Sequence, residues 1–593
     1  MKQTFFARKI LSVFLLSNYL AGCASAPASI TPAISTLASS SSTPTPTAAP
    51  SLAPTLPILP TVTTELSTAT QSPTPWVGLQ ADQPISFIKG LDMTSWSSSP
   101  YSGKLTDESL AALKETGAEW VGIEINLTQS KHGSTFMFKA QDRTINDVTL
   151  AHMIKEAHAL GLRVLLRPFV DLTDDPGFDT DSVGLGFNEA QWKTWFINYT
   201  YFMLDYARLA EDNGVDMFSL GSELLATQQR KNEWTRLAND VRKVYHGPIT
   251  YQALWDYRSA TPITYQAQWD DRLAAPMDSF YLSWWDAVDY ISVSFYFKLI
   301  NKVDPTLQDL EAGWARYIKA FQQLSQKYGK QVIFMEIGYP ATSRAIENPG
   351  EIYGTLDTNI QARAYQVAFN RLVGQSWLKG MFWFDWEDNV YQGGLCDPRP
   401  TPKGKPAENV LRQAFGAPLV QLNNQPPVLP AFSPDHIVSY DLYSAPATQL
   451  FNPDASWNVT FSESSIPAYQ NQKSLNVKFH PGGAIVAPMK ALDTSPYQWL
   501  EFYINPSESN PRLNLKIEEV GGMTFEHTYY IDTCLCAEGG KIEANQWTRV
   551  LVPLDHFDAD KRKLAFLALS MNVEFIDHPI VMSFSNIRLV GLK

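Results

Sequence analysis

Eight short apolar runs alternate with longer segments of helical spacing between residues 87 and 415. The runs are FIKGLDM (87–93), WVGIEIN (120–126), RVLLRPFVD (163–171), VDMFSLG (215–221), PITYQAL (248–254), VDYISVSFY (288–296), QVIFMEIG (331–338) and GMFWFDW (380–386). Buried strands separated by helices pair in parallel, so eight such units predict a (β/α)8 barrel. An open nucleotide-binding sheet would need a glycine-rich turn after its first strand, and GLDMTSWSSS has none.

The chain of 593 residues is too long for a single hydrophobic core. A Ser/Thr/Pro-rich stretch before the barrel cannot bury enough apolar area to fold. After the barrel, short alternating segments such as WLEFYINP and TRVLVPLDHF carry no helical period, which predicts an all-β sandwich of the jelly-roll kind. The predicted parts are a signal (1–22), a disordered tether (23–80), a barrel domain (81–418), a linker (419–432) and a β-sandwich (433–593).

The first residues carry a basic start and the apolar stretch ILSVFLLSNYLAGC, which is typical of a secretory signal. This stretch is too short to span a membrane. Its end, LAGC, resembles the lipobox of bacterial lipoproteins, which implies a lipid on Cys23. The alternative is an ordinary signal with an incidental cysteine. We therefore expect export and lipid anchoring at the bacterial cell surface or outer membrane.

Charge and cysteine content exclude several classes of function. A net charge of -13 without a long basic run opposes a nucleic-acid surface. Cys534 and Cys536 lack the spacing of a zinc site, so we expect no metal and no cofactor. A disulfide between these two cysteines, or from one of them to Cys396, stays open at this stage. We expect a monomer.

Two glutamates end predicted strands of the barrel. Glu223 follows strand four in VDMFSLGSE, and Glu336 ends strand seven in FMEIGYP. Active sites of such barrels lie at the carboxyl ends of the strands. Two carboxylates there can cleave a glycosidic bond, one as acid and base and the other as nucleophile, if they lie close together. The 17 Trp and 25 Tyr residues offer flat faces that suit sugars.

Motifs across the barrel resemble one clan of enzymes. They are LKETGAEWVGIEINLTQ, AHALGLRVLLRPFVD, FSLGSEL, ITYQALWD, VDYISVSFY, VIFMEIGYP and KGMFWFDWEDN. The chain resembles clan A of the glycoside hydrolases and, within it, glycoside hydrolase family 113, whose characterised activity is β-mannanase. The resemblance implies that Glu223 is the acid/base and Glu336 the nucleophile of a retaining enzyme. It departs at Ser222, where many members carry Asn, and at Phe169, where related barrels carry His.

Further side chains near the strand ends are predicted to bind substrate. They are Trp96, Asn126, Arg167, Ser222, Trp255, Tyr296, Trp383 and Trp386, with Gln129 and Asp171 as additional cleft candidates. Tyr296 could donate a hydrogen bond to the nucleophile or simply pack. Arg167 could bind a sugar hydroxyl, steady a carboxylate or form a structural ion pair. Because Trp383 and Trp386 have opposite parity on a strand, only one can face the cleft, and we favour Trp386 as a sugar platform.

A tandem repeat begins within strand five: ITYQALWDYRSATP (249–262) and ITYQAQWDDRLAAP (263–276). We assign the first copy to the barrel strand and the second to a rim loop, and a duplication without function is the alternative. The tail resembles carbohydrate-binding modules of secreted glycosidases. Its candidate platforms Tyr497, Trp499 and Trp547 could equally be core residues.

Two classes of function compete for this sequence. The first is a retaining endo-β-1,4-mannanase-like hydrolase acting on a polysaccharide, or the same chemistry on glucan, xylan or galactan. The second is a surface lipoprotein that binds glycans without cleaving them. The presence of both Glu223 and Glu336 favours the enzyme. A solute-binding lipoprotein would need two lobes, which the single run of eight units opposes.

Overall fold

All eight predicted barrel strands are present in the computed structural model of the chain. They are β1 Ile88–Thr94, β2 Trp120–Gln129, β3 Arg163–Leu172, β4 Met217–Ser222, β5 Ile249–Ala253, β6 Ile291–Phe295, β7 Val332–Ile337 and β8 Leu378–Glu387. The structure describes residues 76–95, 101–141, 143–254, 280–302, 304–422, 427–444, 448–520, 527–557, 563–571 and 578–593.

The eight strands pair in parallel and close on themselves. Each strand is hydrogen-bonded to the next, and β1 pairs with both β2 and β8. A two-residue strand, Met137–Phe138, adds an antiparallel pairing at the end of β2. The predicted (β/α)8 architecture is confirmed.

Helices follow seven of the eight strands within the described part of the chain. They are α1 Lys104–Glu115, α2 Asp147–Ala159, α3 Glu189–Asp212, α4 Lys231–Val241, α5 Leu307–Tyr328, α6 Thr358–Leu372 and α7 Pro406–Phe415. Between β5 and β6, the described residues form a 3-10 turn at Trp285–Ala287. The first copy of the tandem repeat supplies β5, as predicted, whereas the second copy, 263–276, lies outside the described residues.

The barrel buries two apolar layers on opposite faces of its strands. Inward side chains such as Ile88, Trp120 and Met217 fill the barrel interior. Outward side chains such as Val121 and Phe218 pack against the surrounding helices in a larger cluster. Because the interior is filled by side chains, space for a ligand can open only at an end of the barrel.

Strands β4, β7 and β8 each carry one extra residue near their carboxyl ends. On β7, Met335 and Glu336 both fall between the outward Phe334 and Ile337. Such β-bulges disturb the alternation of side chains and redirect those that follow. The bulge on β7 therefore turns Glu336 inward, although Met335 beside it already lines the interior.

The tail forms a curled antiparallel sheet around its own core. Its longer strands are β9 Ile437–Ser444, β10 Trp457–Tyr469, β11 Gln472–Leu492, β12 Trp499–Pro506, β13 Leu513–Glu519, β14 His527–Tyr530, β15 Thr548–Pro553, β16 Leu564–Met571 and β17 Ile580–Leu592. Tyr497 packs on the edge of this core. Trp499 packs against Phe432 of the preceding linker, with ring centroids 5.3 Å apart.

Barrel and tail are joined covalently. Cys396, in the loop after β8, forms a disulfide with Cys534 of the tail, which resolves the pairing that the sequence left open. Beside it, Arg512 donates a hydrogen bond of 3.0 Å to the Cys396 carbonyl. Tyr391 of the barrel loop stacks on His556 of the tail at 3.9 Å. The junction thus combines a bridge, a hydrogen bond and a ring stack.

Loss of this bridge is expected to destabilise the protein. It links residues separated by 138 positions, and closing so long a loop restricts the unfolded chain, so we expect the double variant Cys396→Ser/Cys534→Ser to lose about 3 to 5 kcal/mol of unfolding free energy. Thermal unfolding of oxidised protein measures the change. The control is Cys536→Ala, which leaves the bridge intact. Equal unfolding temperatures for the double variant and the unmodified protein would contradict the prediction.

Cys536, the second cysteine of the tail, is poorly suited to exchange with the bridge. Burial, helped by the charge of Asp532, raises the pKa of the Cys536 thiol to about 12. Only a thiolate attacks a disulfide efficiently. The thiol therefore stays protonated at neutral pH, and the Cys396–Cys534 pairing is expected to persist.

Candidate active site

Glu336 lies at the end of β7, and its carboxylate is held by two donors. The guanidinium of Arg167 donates to Oε1, and the phenol of Tyr296 donates to Oε2 over 2.9 Å. Glu336 as a whole residue is only 1 % exposed. A buried carboxylate bound by a cation and a hydroxyl is stabilised in its ionised form. An ionised carboxylate is the form that can act as a nucleophile.

Arg167 gathers three carboxyl groups inside the barrel. Besides Glu336, its guanidinium contacts Asp92 on β1 over 2.8 Å and Glu124 on β2 over 3.1 Å. Burial alone would lower the pKa of Arg167, but the charges of Asp92, Glu336 and Glu124 outweigh it and hold the pKa well above its usual value. Arg167 therefore remains a cation beside Glu336.

Asp92 is the buried member of this cluster on β1. Burial raises the pKa of Asp92 well above its usual value, against the opposing effect of Arg167. Its carboxyl group occupies space beside Gly122, where an added Cβ would lie 2.1 Å from Oδ1. Three carboxyl groups, those of Asp92, Glu124 and Glu336, therefore share the single Arg167 cation.

Glu223 follows β4 directly and turns into the site through an unusual backbone conformation. Its φ of 59° lies in the left-handed region, which a non-glycine residue adopts rarely and mainly at special positions. Its amide donates to the Gln252 carbonyl over 2.9 Å, which fixes the turn. The hydroxyl of Ser294 donates to Glu223 Oε1 over 2.5 Å, and Gln252 Nε2 donates to Ser294 Oγ over 2.8 Å.

One strand end brings the two glutamates together. Ser294 and Tyr296 stand two residues apart at the end of β6, so their side chains leave the same face about 6 to 7 Å apart. Ser294 binds Glu223, and Tyr296 binds Glu336. Burial raises the pKa of Tyr296 well above its usual value, and the charges of Glu336 and then Glu223 raise it further. Both carboxylates therefore lie near one phenol, which stays protonated.

Several other predicted residues lie around this pair. Tyr296 donates to Glu336, as predicted. Ser222 is buried and faces inward beside Gln252, and its hydroxyl has no hydrogen-bond partner among the described residues. The side-chain oxygen of Asn126 on β2 is also buried without such a partner in the described part of the chain. These groups can receive the hydroxyls of a ligand, and their role in substrate binding stays a prediction.

The predictions for the two β8 tryptophans were wrong. Trp383 stacks on Tyr365 of α6 at 3.9 Å, and the Trp386 indole donates to Ser109 of α1 over 3.1 Å. Both rings are buried in the layer between strands and helices. The extra residue on β8 lies between them, so two positions of opposite parity share the outer face. Phe384 faces inward instead and meets Tyr296 edge-on at 6.3 Å.

Arg167 and two cleft candidates also hold structural contacts. The guanidinium of Arg167 is buried among carboxylates and binds Glu336, and its predicted contact with a sugar hydroxyl stays a prediction. The Gln129 side chain binds the Lys131 carbonyl and the Trp195 indole. Asp171 pairs with Arg143 over 3.3 Å. The remaining predicted positions Trp96, Trp255 and Cys23 lie outside the described residues, so sugar contact and lipidation there stay predictions.

Four residues of the site escaped the sequence analysis: Asp92, Glu124, Gln252 and Ser294. A signal existed for the two acids, because charged side chains are rarely buried without a partner and both stand inside apolar strand motifs. Glu124 lies opposite Arg167 in the β2–β3 register, which a parallel alignment of the two motifs would reveal. Gln252 and Ser294 carry no comparable signal.

The closed parallel barrel carries carboxylates at the ends of its strands, an arrangement that glycoside hydrolases use. The model of Glycoside Hydrolase Family 113 matches residues 94–396, about half of the chain, and the protein belongs to this family. The predicted enzyme class is thereby confirmed. No curated protein matches the chain.

Three solved structures similar to the chain are a family 113 β-1,4-mannanase complex, the family 113 β-mannanase of Alicyclobacillus acidocaldarius with ManMIm, and a family 5 mannosidase of Rhizomucor miehei. The first is 25 % identical, with 56 % of this chain and 100 % of that chain covered and a TM-score of 0.47. The second is 24 % identical, with 57 % of this chain and 99 % of that chain covered and a TM-score of 0.47. The third is 10 % identical, with 56 % of this chain and 93 % of that chain covered and a TM-score of 0.38.

The described part of the chain contains no helix with both the length and the apolar content to cross a membrane.

The Ser294 hydroxyl is expected to tune Glu223. In Ser294→Ala, Glu223 loses a donor that favours its ionised form, so we expect the alkaline limb of the kcat/KM profile to move to higher pH. We also expect kcat to fall roughly tenfold, the worth of one hydrogen bond to a charged group. Ser292→Ala is the matched control, because Ser292 bonds Thr250 instead. An unchanged pH profile in Ser294→Ala would refute the prediction that the Ser294 hydroxyl tunes the ionisation of Glu223.

Proposed function

We propose that the protein is a retaining endo-acting β-mannanase-like hydrolase with Glu336 as nucleophile and Glu223 as acid and base. The observation that carries this proposal is the pair of hydrogen bonds from one end of β6, Ser294 to Glu223 and Tyr296 to Glu336. It supports two carboxylates on one substrate, as a double displacement requires. Their different partners support different roles.

In the first step, the Glu336 carboxylate attacks the anomeric carbon and forms a glycosyl ester, while the Glu223 acid gives its proton to the glycosidic oxygen. The leaving sugar departs with that proton. In the second step, the Glu223 carboxylate takes a proton from water, whose oxygen attacks the same carbon and releases Glu336. Two inversions at one carbon give net retention. Arg167 and Tyr296 support the ionised nucleophile before attack and after release.

The proposed substrate is a β-1,4-mannan. Membership of Glycoside Hydrolase Family 113 supports this choice, and two of the similar solved structures are described as β-mannanases. The alternative substrate is a different β-glycan, cleaved by the same chemistry. Ser222 supports this alternative, because its short side chain stands where many clan members bind a sugar hydroxyl with Asn.

The experiment is incubation of the protein with β-mannan, glucomannan, xylan, β-glucan and galactan. We expect internal cleavage of β-mannan, seen as a rapid fall in viscosity, and release of products in the β-configuration when they are followed by NMR from the first minutes. Cleavage of another polymer alone would reassign the sugar. Release of the α-anomer would refute retention, and no cleavage of any polymer would favour the non-catalytic glycan binder.

A further inference from the structure

Three aromatic residues cluster on the tail: Tyr469, Tyr503 and Trp547. These three residues form the aromatic face. The ring centroids of Tyr469 and Tyr503 lie 4.4 Å apart, and those of Tyr469 and Trp547 lie 5.2 Å apart. All three side chains are partly exposed. They therefore present ring surface to the solvent while supporting one another.

The strand alternation explains why these rings are not part of the tail core. On β12, Phe502 and Ile504 are buried in the core, so Tyr503 between them points to the opposite face. Trp547 stands two residues before Arg549, which is the cross-strand partner of Tyr503. A diagonal pair of this kind is separated by about 7 to 8 Å. The aromatic face thus extends across two neighbouring strands.

Polar side chains continue the same face. Asn505 lies two residues beyond Tyr503 and opposite Ser583 of β17. The Asn476 amide donates to Ser583 Oγ over 3.1 Å. On the other side of Tyr503, Glu501 is bound by Arg549 and Arg588 over 2.6 Å each. The partly exposed Asn476 amide, the buried Asn505 and Ser583 and a fixed ion cluster therefore lie beside the three rings.

We propose that the aromatic face binds the sugar rings of a β-linked polysaccharide, the substrate class that the proposed function assigns to the barrel. A pyranose presents C–H groups on its ring faces and hydroxyls at its edges, which match aromatic rings bordered by amides and hydroxyls. A stable protein partner needs about 800 Å² on each side, more than three partly exposed rings provide. A nucleic acid is opposed by the net charge of -13.

This binding would act on the enzyme through the junction. The Cys396–Cys534 bridge and the ring stack of Tyr391 on His556 fix the tail to the barrel. A polymer held by the tail therefore stays near the barrel, and its effective concentration there rises without any new contact in the active site. The benefit is expected on insoluble polymer, where free diffusion of substrate is absent.

The test measures retention of the full chain on insoluble β-1,4-mannan, xylan and cellulose. A Glu336→Gln background removes digestion, so retention is read independently of catalysis. We expect Tyr503→Ala/Trp547→Ala to weaken retention about tenfold or more on the polymer that holds the parent protein, because a few aromatic residues dominate the binding energy of such contacts. Trp547→Ala alone is expected to weaken it about threefold or more. Tyr497→Ala, an aromatic loss outside the aromatic face, is the matched control.

Thermal unfolding confirms that each variant retains its tail. Unchanged retention in a folded Trp547→Ala or double variant overturns the inference, as does a parent protein that stays in solution with all three polymers. Aromatic-face-dependent retention together with no cleavage of any glycan by the unmodified protein would overturn the proposed function and leave this inference standing.

Discussion

Glu336→Ala is expected to lower turnover of β-mannan by roughly 10⁴- to 10⁶-fold, the scale on which removal of an enzyme nucleophile acts. The variant loses the group that would form the glycosyl ester, and Arg167 and Tyr296 then face an empty space. Initial rates on soluble mannan measure the loss. A variant that keeps more than about one hundredth of the activity would contradict the role of Glu336 as nucleophile.

Glu124→Ala is the matched control for this prediction. Glu124 is a second glutamate on the same guanidinium, 3.1 Å from Arg167 Nη2, so its removal also disturbs the charge balance around Arg167. Because Asp92 and Glu336 still pair with Arg167, we expect a loss of less than about tenfold. A large loss in both variants would mean that the cluster acts through its structure and that Glu336 has no special part.

Much of this architecture can be predicted from the sequence because it depends on local pattern. Each apolar run of the barrel forms a strand near its predicted position, since burial on both faces requires an unbroken apolar segment. The positions of Glu223 and Glu336 follow from the same pattern, because a polar residue that ends a buried strand must lie at the rim. Tyr296 was placed by the same reasoning.

Other features depend on backbone irregularity that a sequence pattern does not reveal. Parity on a regular strand assigns Trp383 and Trp386 to opposite faces, yet one extra residue between them puts both on the outer face. The positive φ of Glu223 is also a backbone irregularity that the sequence does not reveal, because the position holds neither glycine nor asparagine, the residues that usually indicate such a conformation. In both cases the irregularity stands next to the site, where β-bulges are most frequent.

Contacts between distant segments are the second kind of feature that the sequence pattern does not reveal. Arg167 pairs with Asp92, Glu124 and Glu336 because β1, β2, β3 and β7 converge in a closed barrel. A list of strands predicts this closure, but it does not predict which side chains meet inside it. The Cys396–Cys534 bridge likewise requires the position of the tail relative to the barrel. The closure of the barrel and the position of the tail relative to it therefore determine the contacts that the sequence analysis missed.

Glu223→Ala is expected to lower turnover of β-mannan by roughly 10²- to 10⁴-fold, the contribution of a general acid and base. The loss should depend on the leaving group, because a sugar alcohol needs the proton that Glu223 supplies and a dinitrophenolate does not. Formation of the glycosyl ester from a dinitrophenyl β-mannoside should therefore be nearly normal, while its hydrolysis is slow. A burst of dinitrophenolate followed by slow turnover measures this. An equal loss in the rate of glycosyl-ester formation on β-mannan and on the dinitrophenyl β-mannoside would contradict the role of Glu223 as general acid.

Azide distinguishes the two glutamates by the product that each variant forms. In Glu223→Ala, azide needs no general base and attacks the Glu336 ester, so it should accelerate turnover and give a β-glycosyl azide. In Glu336→Ala, azide takes the place of the missing carboxylate and attacks the substrate directly, which inverts the anomeric carbon and gives the α-glycosyl azide. The β-product from Glu336→Ala and the α-product from Glu223→Ala would exchange the two roles. Because both products are covalent and distinct by NMR, a loss of stability in either variant cannot imitate the expected result.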